Sequence, residues 1–139
     1  MMASPLDVQL ILCDAAQADP SGKVHMLGAG WSVTRSPTGH AVAVLIKVPW
    51  DRANERLPLR LDLVDADGQP VQLPTADGSV GVRADGLIEV GRPPGMEPGS
   101  PLDAAFALNV PSLPLAPGRY SWRLSLAEFE ASVSFAVRP

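Results

Sequence analysis

The chain has 139 residues, a formal net charge of −4 and only 11 lysines and arginines, no two of which are adjacent. This length suits one domain with a continuous hydrophobic core. Because no basic stripe is present, nucleic acid and anionic membrane surfaces are not expected as partners.

Residues 8–13 and 41–48 are the first predicted strands, and both are apolar on both faces. Such runs are typical of central strands, or of strands whose second face is covered by another subunit or a loop. A helix over residues 6–18 is an alternative, because residues 14–18 favour helix and residues 19–22 would end it. We prefer a strand that leads into a turn.

Strict alternation of apolar and polar side chains predicts further strands along the chain. In one of them Tyr120, Trp122, Leu124 and Leu126 alternate with arginines and serines. One dry face and one wet face per strand is typical of antiparallel sheets packed in two layers. The alternating segments are residues 59–63, 104–110, 119–126 and 133–137.

Turn-forming residues separate these segments. Asp-Gly is a strong hairpin signal, and the predicted turns are Pro20-Ser21-Gly22, Asp67-Gly68, Asp77-Gly78 and Asp85-Gly86. Residues 92–101 form one long Pro/Gly-rich loop, expected to be disordered or to face a partner. We therefore predict an all-β fold, an immunoglobulin-like antiparallel β-sandwich of about eight or nine strands, with residues 1–139 as a single domain.

Tyr120 follows the Pro117-Gly118 turn near the start of a late strand. In this respect the C-terminal third resembles immunoglobulin-like and fibronectin type III-like sandwiches, which carry a tyrosine corner at this place. The resemblance implies that the Tyr120 hydroxyl bonds back to nearby backbone.

Motifs for catalysis or metal binding lack the context they need. Asp65-Ala66-Asp67-Gly68 lacks the glutamate and helices of an EF-hand, although a calcium site of the C2 type at one end of the sandwich stays an alternative. Gly28-Ala29-Gly30 lacks the third glycine of a dinucleotide loop and indicates close backbone approach. His25 and His40 have no ligand partner at a suitable spacing, and Cys13 lies in an apolar strand. We expect no enzyme activity, cofactor or metal.

Cys13 is the only cysteine, so the chain forms no internal disulfide, which favours a reducing compartment. The N-terminus lacks the basic region of a signal peptide. The longest apolar run, residues 41–46, is too short to cross a bilayer. These observations predict a soluble cytoplasmic protein.

The connection at residues 48–56 is the strongest candidate binding segment. It contains Trp50, Asp51, Arg52, Asn54 and Arg56, and tryptophan and arginine are frequent at binding hot spots. Alternatively, Trp50 caps the edge of the core and Asp51 begins a helical turn.

Residues 12–17, 22–31 and 48–54 together resemble a family of short uncharacterised bacterial proteins, mainly actinobacterial. The resemblance runs from about residue 7 to the C-terminus. It implies a bacterial cytoplasmic setting and brings no known activity, cofactor or site residues.

The leading functional hypothesis is a non-enzymatic interaction module that forms a homo-oligomer, most simply a dimer, or binds another protein. Strands that are apolar on both faces and a low content of charged residues favour it. The alternative is a sandwich that binds a small, carbohydrate-like ligand. In that case Trp31 and Trp50 would stack on sugar faces, with Asp51, Arg52 and Asn54 bonding hydroxyls.

Overall fold

The computed structural model describes residues 5–139, which fold into β-strands joined by turns and loops. No α-helix occurs among these residues; one 3-10 turn spans Trp50–Arg52. The strands are β1 (Asp7–Cys13), β2 (Ala15–Ala18), β3 (Val24–Leu27), β4 (Val33–Arg35), β5 (Thr38–Val48), β6 (Leu57–Asp65), β7 (Gln72–Thr75), β8 (Gly78–Gly81), β9 (Arg83–Ile88), β10 (Leu102–Leu113), β11 (Gly118–Leu126) and β12 (Phe129–Arg138).

Two sheets packed on each other form the body of the fold. One has the strand order β1-β5-β10 and the other β4-β12-β11-β6-β9. All pairings within them are antiparallel except that of β4 with β12, which is parallel. The predicted all-β sandwich is confirmed. The strand count exceeds the predicted eight or nine because two small hairpins, β2–β3 and β7–β8, add four strands to the eight of the main sheets.

The main core lies between the two sheets. The predicted alternation places Trp122, Leu124 and Leu126 of β11 inward, and all three are at most 1% exposed. Val42 and Val44 of β5 meet them from the opposite sheet. Period-two alternation therefore sets which face of each strand is buried.

The second apolar face of β5 is covered from within the chain. Ala41 and Ala43 form a small separate cluster with Cys13 and with Ala16 of the β2–β3 hairpin. The side chain of Asn109 fixes this hairpin, donating to the Ala16 carbonyl at 2.9 Å and accepting from its amide at 3.3 Å. A hairpin, and not a second subunit, thus covers this part of the sheet.

The tyrosine corner is present. The Tyr120 hydroxyl donates to the Ala116 carbonyl at 2.7 Å, while its ring stacks on Phe135. This bond joins the start of β11 to the turn that precedes it, as the resemblance to immunoglobulin-like sandwiches implied.

Asp-Gly pairs do not all form turns. Asp67-Gly68 lies in a turn as predicted, and Asp77 lies in the turn between β7 and β8, with Gly78 as the first residue of β8. The prediction for Asp85-Gly86 was wrong, because both residues lie inside β9. There Gly86 pairs with Leu59, and a side chain on Gly86 would contact that leucine at 3.6 Å.

The loop at residues 92–101 contains no strand, as expected. No helix in the part of the chain that the structure describes is long and apolar enough to cross a membrane.

Candidate protein-binding edge

The two main sheets end in four edge strands, which differ in how they resist pairing with another chain. Natural edge strands avoid such pairing by shortness, charged side chains, proline, bulges or a covering loop. β4 has three residues, β9 carries Arg83 and Asp85, and the Leu12 carbonyl of β1 already accepts from the Gly30 amide at 2.9 Å. Each of these edges therefore carries at least one protective feature.

The free edge of β10 lacks such protection along its centre. β10 is twelve residues long and pairs only with β5 among the described strands. Between Asp103 and Pro111 it contains no charged residue and no proline. Asp103 itself is ion-paired with Lys47 of the neighbouring strand. An uncharged, unpaired edge of this length is a template for adding a further strand.

Phe106 and Leu108 of β10 are half-buried although they face the core. Their partners in β5, Val44 and Val42, are fully buried. The difference arises because an edge strand has a neighbour on one side only. An added strand would bury the remainder of both side chains.

A groove runs beside this edge. It has a volume of about 640 Å³ and lies between Asp103–Phe106 of β10 and residues 87–93, which end β9 and begin the following loop. Ile88 and Val90 are half-buried against the main core, and Leu87 is 55% exposed. The groove therefore offers apolar surface next to the unpaired backbone of β10.

Comparison with protein-family models and with curated proteins gives no match for this chain.

The predicted binding segment forms one structured connection. Trp50, Asp51 and Arg52 make a single 3-10 turn. The guanidinium of Arg92 lies 4.3 Å from the centre of the Trp50 ring and donates to the Trp50 carbonyl at 2.7 Å. This cation–π contact covers one face of the ring.

Arg52 is directed into the structure. It is only 6% exposed, and its guanidinium is ion-paired with Glu55 and with Glu128 of the turn between β11 and β12. These hydrogen bonds raise the pKa of Arg52 and lower those of both glutamates. The cluster fastens the connection to the sandwich, which is a structural role.

The remaining predicted residues of the segment lie around this cluster. Asn54 adopts a positive φ of 64°, and its backbone N–H donates to the Val90 carbonyl at 2.7 Å. Arg56 is exposed and lies 3.7 Å from Glu89. A second groove, of about 810 Å³, borders Trp50 and Asp51 together with Lys47.

Trp31 does not join this segment. It lies edge-on to His40 and Phe135, with ring centres 5.8 and 6.0 Å apart. His40 and Trp50 stand ten positions apart along extended chain, so Trp31 and Trp50 lie near opposite ends of β5, about 30 Å apart. The two tryptophans therefore do not form one ligand platform.

The acidic turn at residues 65–69 is stabilised by hydrogen bonds between an aspartate side chain and backbone N–H groups. Asp65 accepts from the amides of Asp67 and Gln69 at 2.9 and 3.0 Å, which is the usual role of aspartate in a turn. Within residues 5–139, no three His, Cys, Asp or Glu side chains are grouped as a metal site.

Sequence reasoning identified β10 as a strand but not its edge as a site. The signal available was the uncharged stretch at residues 104–110. Its importance depends on the strand order, which the alternation of side chains does not encode.

Proposed function

We propose that this protein is a non-enzymatic interaction module that self-associates through the free edge of β10. The observation that carries the proposal is the contrast among the four sheet edges. Only the β10 edge, among those described, combines length, an uncharged centre and an adjoining apolar groove. Pairing with a second copy would satisfy its free backbone groups and bury Phe106 and Leu108.

The distribution of perturbed groups supports a role other than catalysis. Active sites gather groups with shifted pKa values in one cleft. Here burial is the main cause of both the raised pKa of Cys13, beneath the β2–β3 hairpin, and the lowered pKa of His40, within the core. Arg52 lies in a separate ion cluster. Packing or ion pairing accounts for these three shifts, and hydrogen bonds from Ser21 and His25 lower the pKa of Asp19 in the β2–β3 turn.

A cytoplasmic setting is part of the proposal. Its support is the thiol of Cys13, which is free, buried and donates to the Ala41 carbonyl at 3.6 Å. A free buried thiol suits a reducing compartment.

The test is the oligomeric state of edge variants, measured by size exclusion with light scattering. We expect a wild-type mass of twice 14.6 kDa. Ala105→Lys places a charge on the β10 edge, which disfavours pairing with another strand. We expect the Kd of the dimer to rise at least about tenfold, which corresponds to a loss of about 1.4 kcal/mol in binding free energy.

Gln9→Lys is the matched control. Gln9 and Ala105 flank Leu45 in the same row of the sheet, but Gln9 lies on the opposite edge. This variant should dimerise like the wild type. A wild-type protein that stays monomeric at high concentration, or equal weakening by both variants, would reject the proposal.

A second candidate is binding of a small, carbohydrate-like ligand in the groove beside Trp50. Its support is that Lys47 and Asp51 border the same groove. Titration with a panel of oligosaccharides should change tryptophan fluorescence in the wild type and in Trp31→Phe, but not in Trp50→Ala. No response in the wild type would count against it.

A further inference from the structure

We infer that the second copy pairs with β10 in one register, antiparallel and centred on Phe106. This inference rests on the proposed self-association and adds which residues meet. A two-fold axis perpendicular to the sheet then passes midway between the two copies of Phe106. Each residue therefore lies opposite the one for which the two sequence numbers sum to twice 106.

The positions of two prolines favour this register. Pro101 precedes β10 and Pro111 interrupts it next to the bulge that follows Val110. Proline has no backbone N–H and cannot donate to a ladder. The two prolines are equally spaced from Phe106, so centring the pair there uses all nine residues 102–110. A shift in either direction places a proline opposite a residue of the ladder and shortens it.

The side chains that meet in this register are compatible on both faces. On the outer face Asp103 lies opposite Asn109, whose side chain stays bonded to the Ala16 backbone of its own hairpin. Ala105 lies opposite Ala107, so no like charges meet. On the inner face Ala104 lies opposite Leu108, which sets a small residue against a large one. Small and large residues in opposition pack without a void.

The groove provides the third argument. It runs beside Ala104 and Ala105 and is bordered by Ile88 and Val90. In the centred register Leu108 of the second copy lies next to Ala104, on the face that is turned toward Ile88 and Val90. The leucine would thus fill apolar space that the small Ala104 side chain leaves open. The same contact recurs at the symmetry-related groove.

Disulfide cross-linking tests the register. In a Cys13→Ala background, Ala105→Cys, Ala107→Cys and Phe106→Cys proteins are oxidised alone and in pairs, and the rates of dimer formation are compared on non-reducing gels. We expect Phe106→Cys to cross-link with itself. Ala105→Cys and Ala107→Cys should cross-link about tenfold faster when mixed than alone, because only directly opposed residues approach disulfide distance.

A wild-type measurement makes the test independent of substitutions. In a dimer mixed from isotopically labelled and unlabelled chains, intermolecular nuclear Overhauser effects should join Ala105 to Ala107. A dimer that instead joins Ala105 to Ala105, or Ala107 to Ala107, would overturn the register and leave the proposed self-association intact. A dimer with no contact between copies at β10, or a monomer, would overturn both.

Discussion

At the scale of single residues, the structure shows what the glycines and histidines of the sequence do. Gly28 has a positive φ of 63°, and a side chain there would lie 2.1 Å from the Asp14 carboxylate. The predicted close backbone approach is confirmed for Gly28, whereas a side chain on Gly30 would meet no atom within 4 Å. The role of His40 could not be predicted, since its partners lie far along the chain.

His40 is buried in the aromatic part of the core. Its Nε2 accepts a hydrogen bond from the Trp122 indole at 2.9 Å, and its Nδ1 lies 3.5 Å from the Thr38 hydroxyl. Burial is the main reason that the pKa of His40 is lowered. Protonation of Nε2 would also turn the acceptor of the Trp122 bond into a donor.

We therefore expect the folded protein to lose stability in mild acid. The unfolded chain takes up a proton near pH 6.5, whereas folded His40 does so only at lower pH. The contribution of His40 to the free energy of unfolding is thus fully present above about pH 6.5. Below that pH it decreases, by up to about 1.4 kcal/mol per pH unit, until the pKa of His40 in the folded protein is reached. Urea unfolding at pH 7.5 and 5.5, at one protein concentration, measures the loss.

Two variants locate the effect. His40→Gln cannot be protonated, so its stability should change little between the two pH values. His25→Gln alters the exposed histidine that contacts Asp19 at 2.7 Å and should keep the wild-type response. A wild-type midpoint that is equal at both pH values would contradict the assignment to His40.

At the scale of elements, alternation was sufficient to locate the main strands but not their neighbours. β11 was predicted with its faces correctly assigned, because all the information lies in consecutive residues. Asp85-Gly86 was wrongly predicted as a turn, because an Asp-Gly pair can occur either in a turn or within a strand. Here Gly86 lies within β9, next to the side chain of Leu59 on the neighbouring strand. Long-range pairing decides between the two.

The same limitation applies to the candidate site. Residues 48–56 were predicted to bind a ligand because tryptophan and arginine are concentrated there. In the structure, however, Arg52 is ion-paired with Glu55 and Glu128. The β10 edge was not predicted as a binding site, because a strand of alanines and leucines has the same sequence pattern as a strand of the core. Only the sheet order reveals that one side of this strand has no neighbour.

At the scale of the whole molecule, association and folding are coupled. The second face of β5 is already covered by the β2–β3 hairpin, so the sandwich does not depend on a partner there. The β10 edge is where a second copy would add buried apolar surface. A dimer of native chains stabilises the native state by mass action, because the unfolded chain does not bind.

We accordingly expect the melting temperature to rise with protein concentration. For a dimer of this chain length the rise should be about 2 °C for each tenfold increase, within the range where light scattering detects the dimer. Calorimetry or circular dichroism over a hundredfold range of concentration measures it. Gln9→Lys should show the same slope over the same range, while in Ala105→Lys the rise should begin only at concentrations at least about tenfold higher, because its dimer is weaker by that factor. Equal slopes in both variants would mean that association, where present, uses a surface other than the β10 edge.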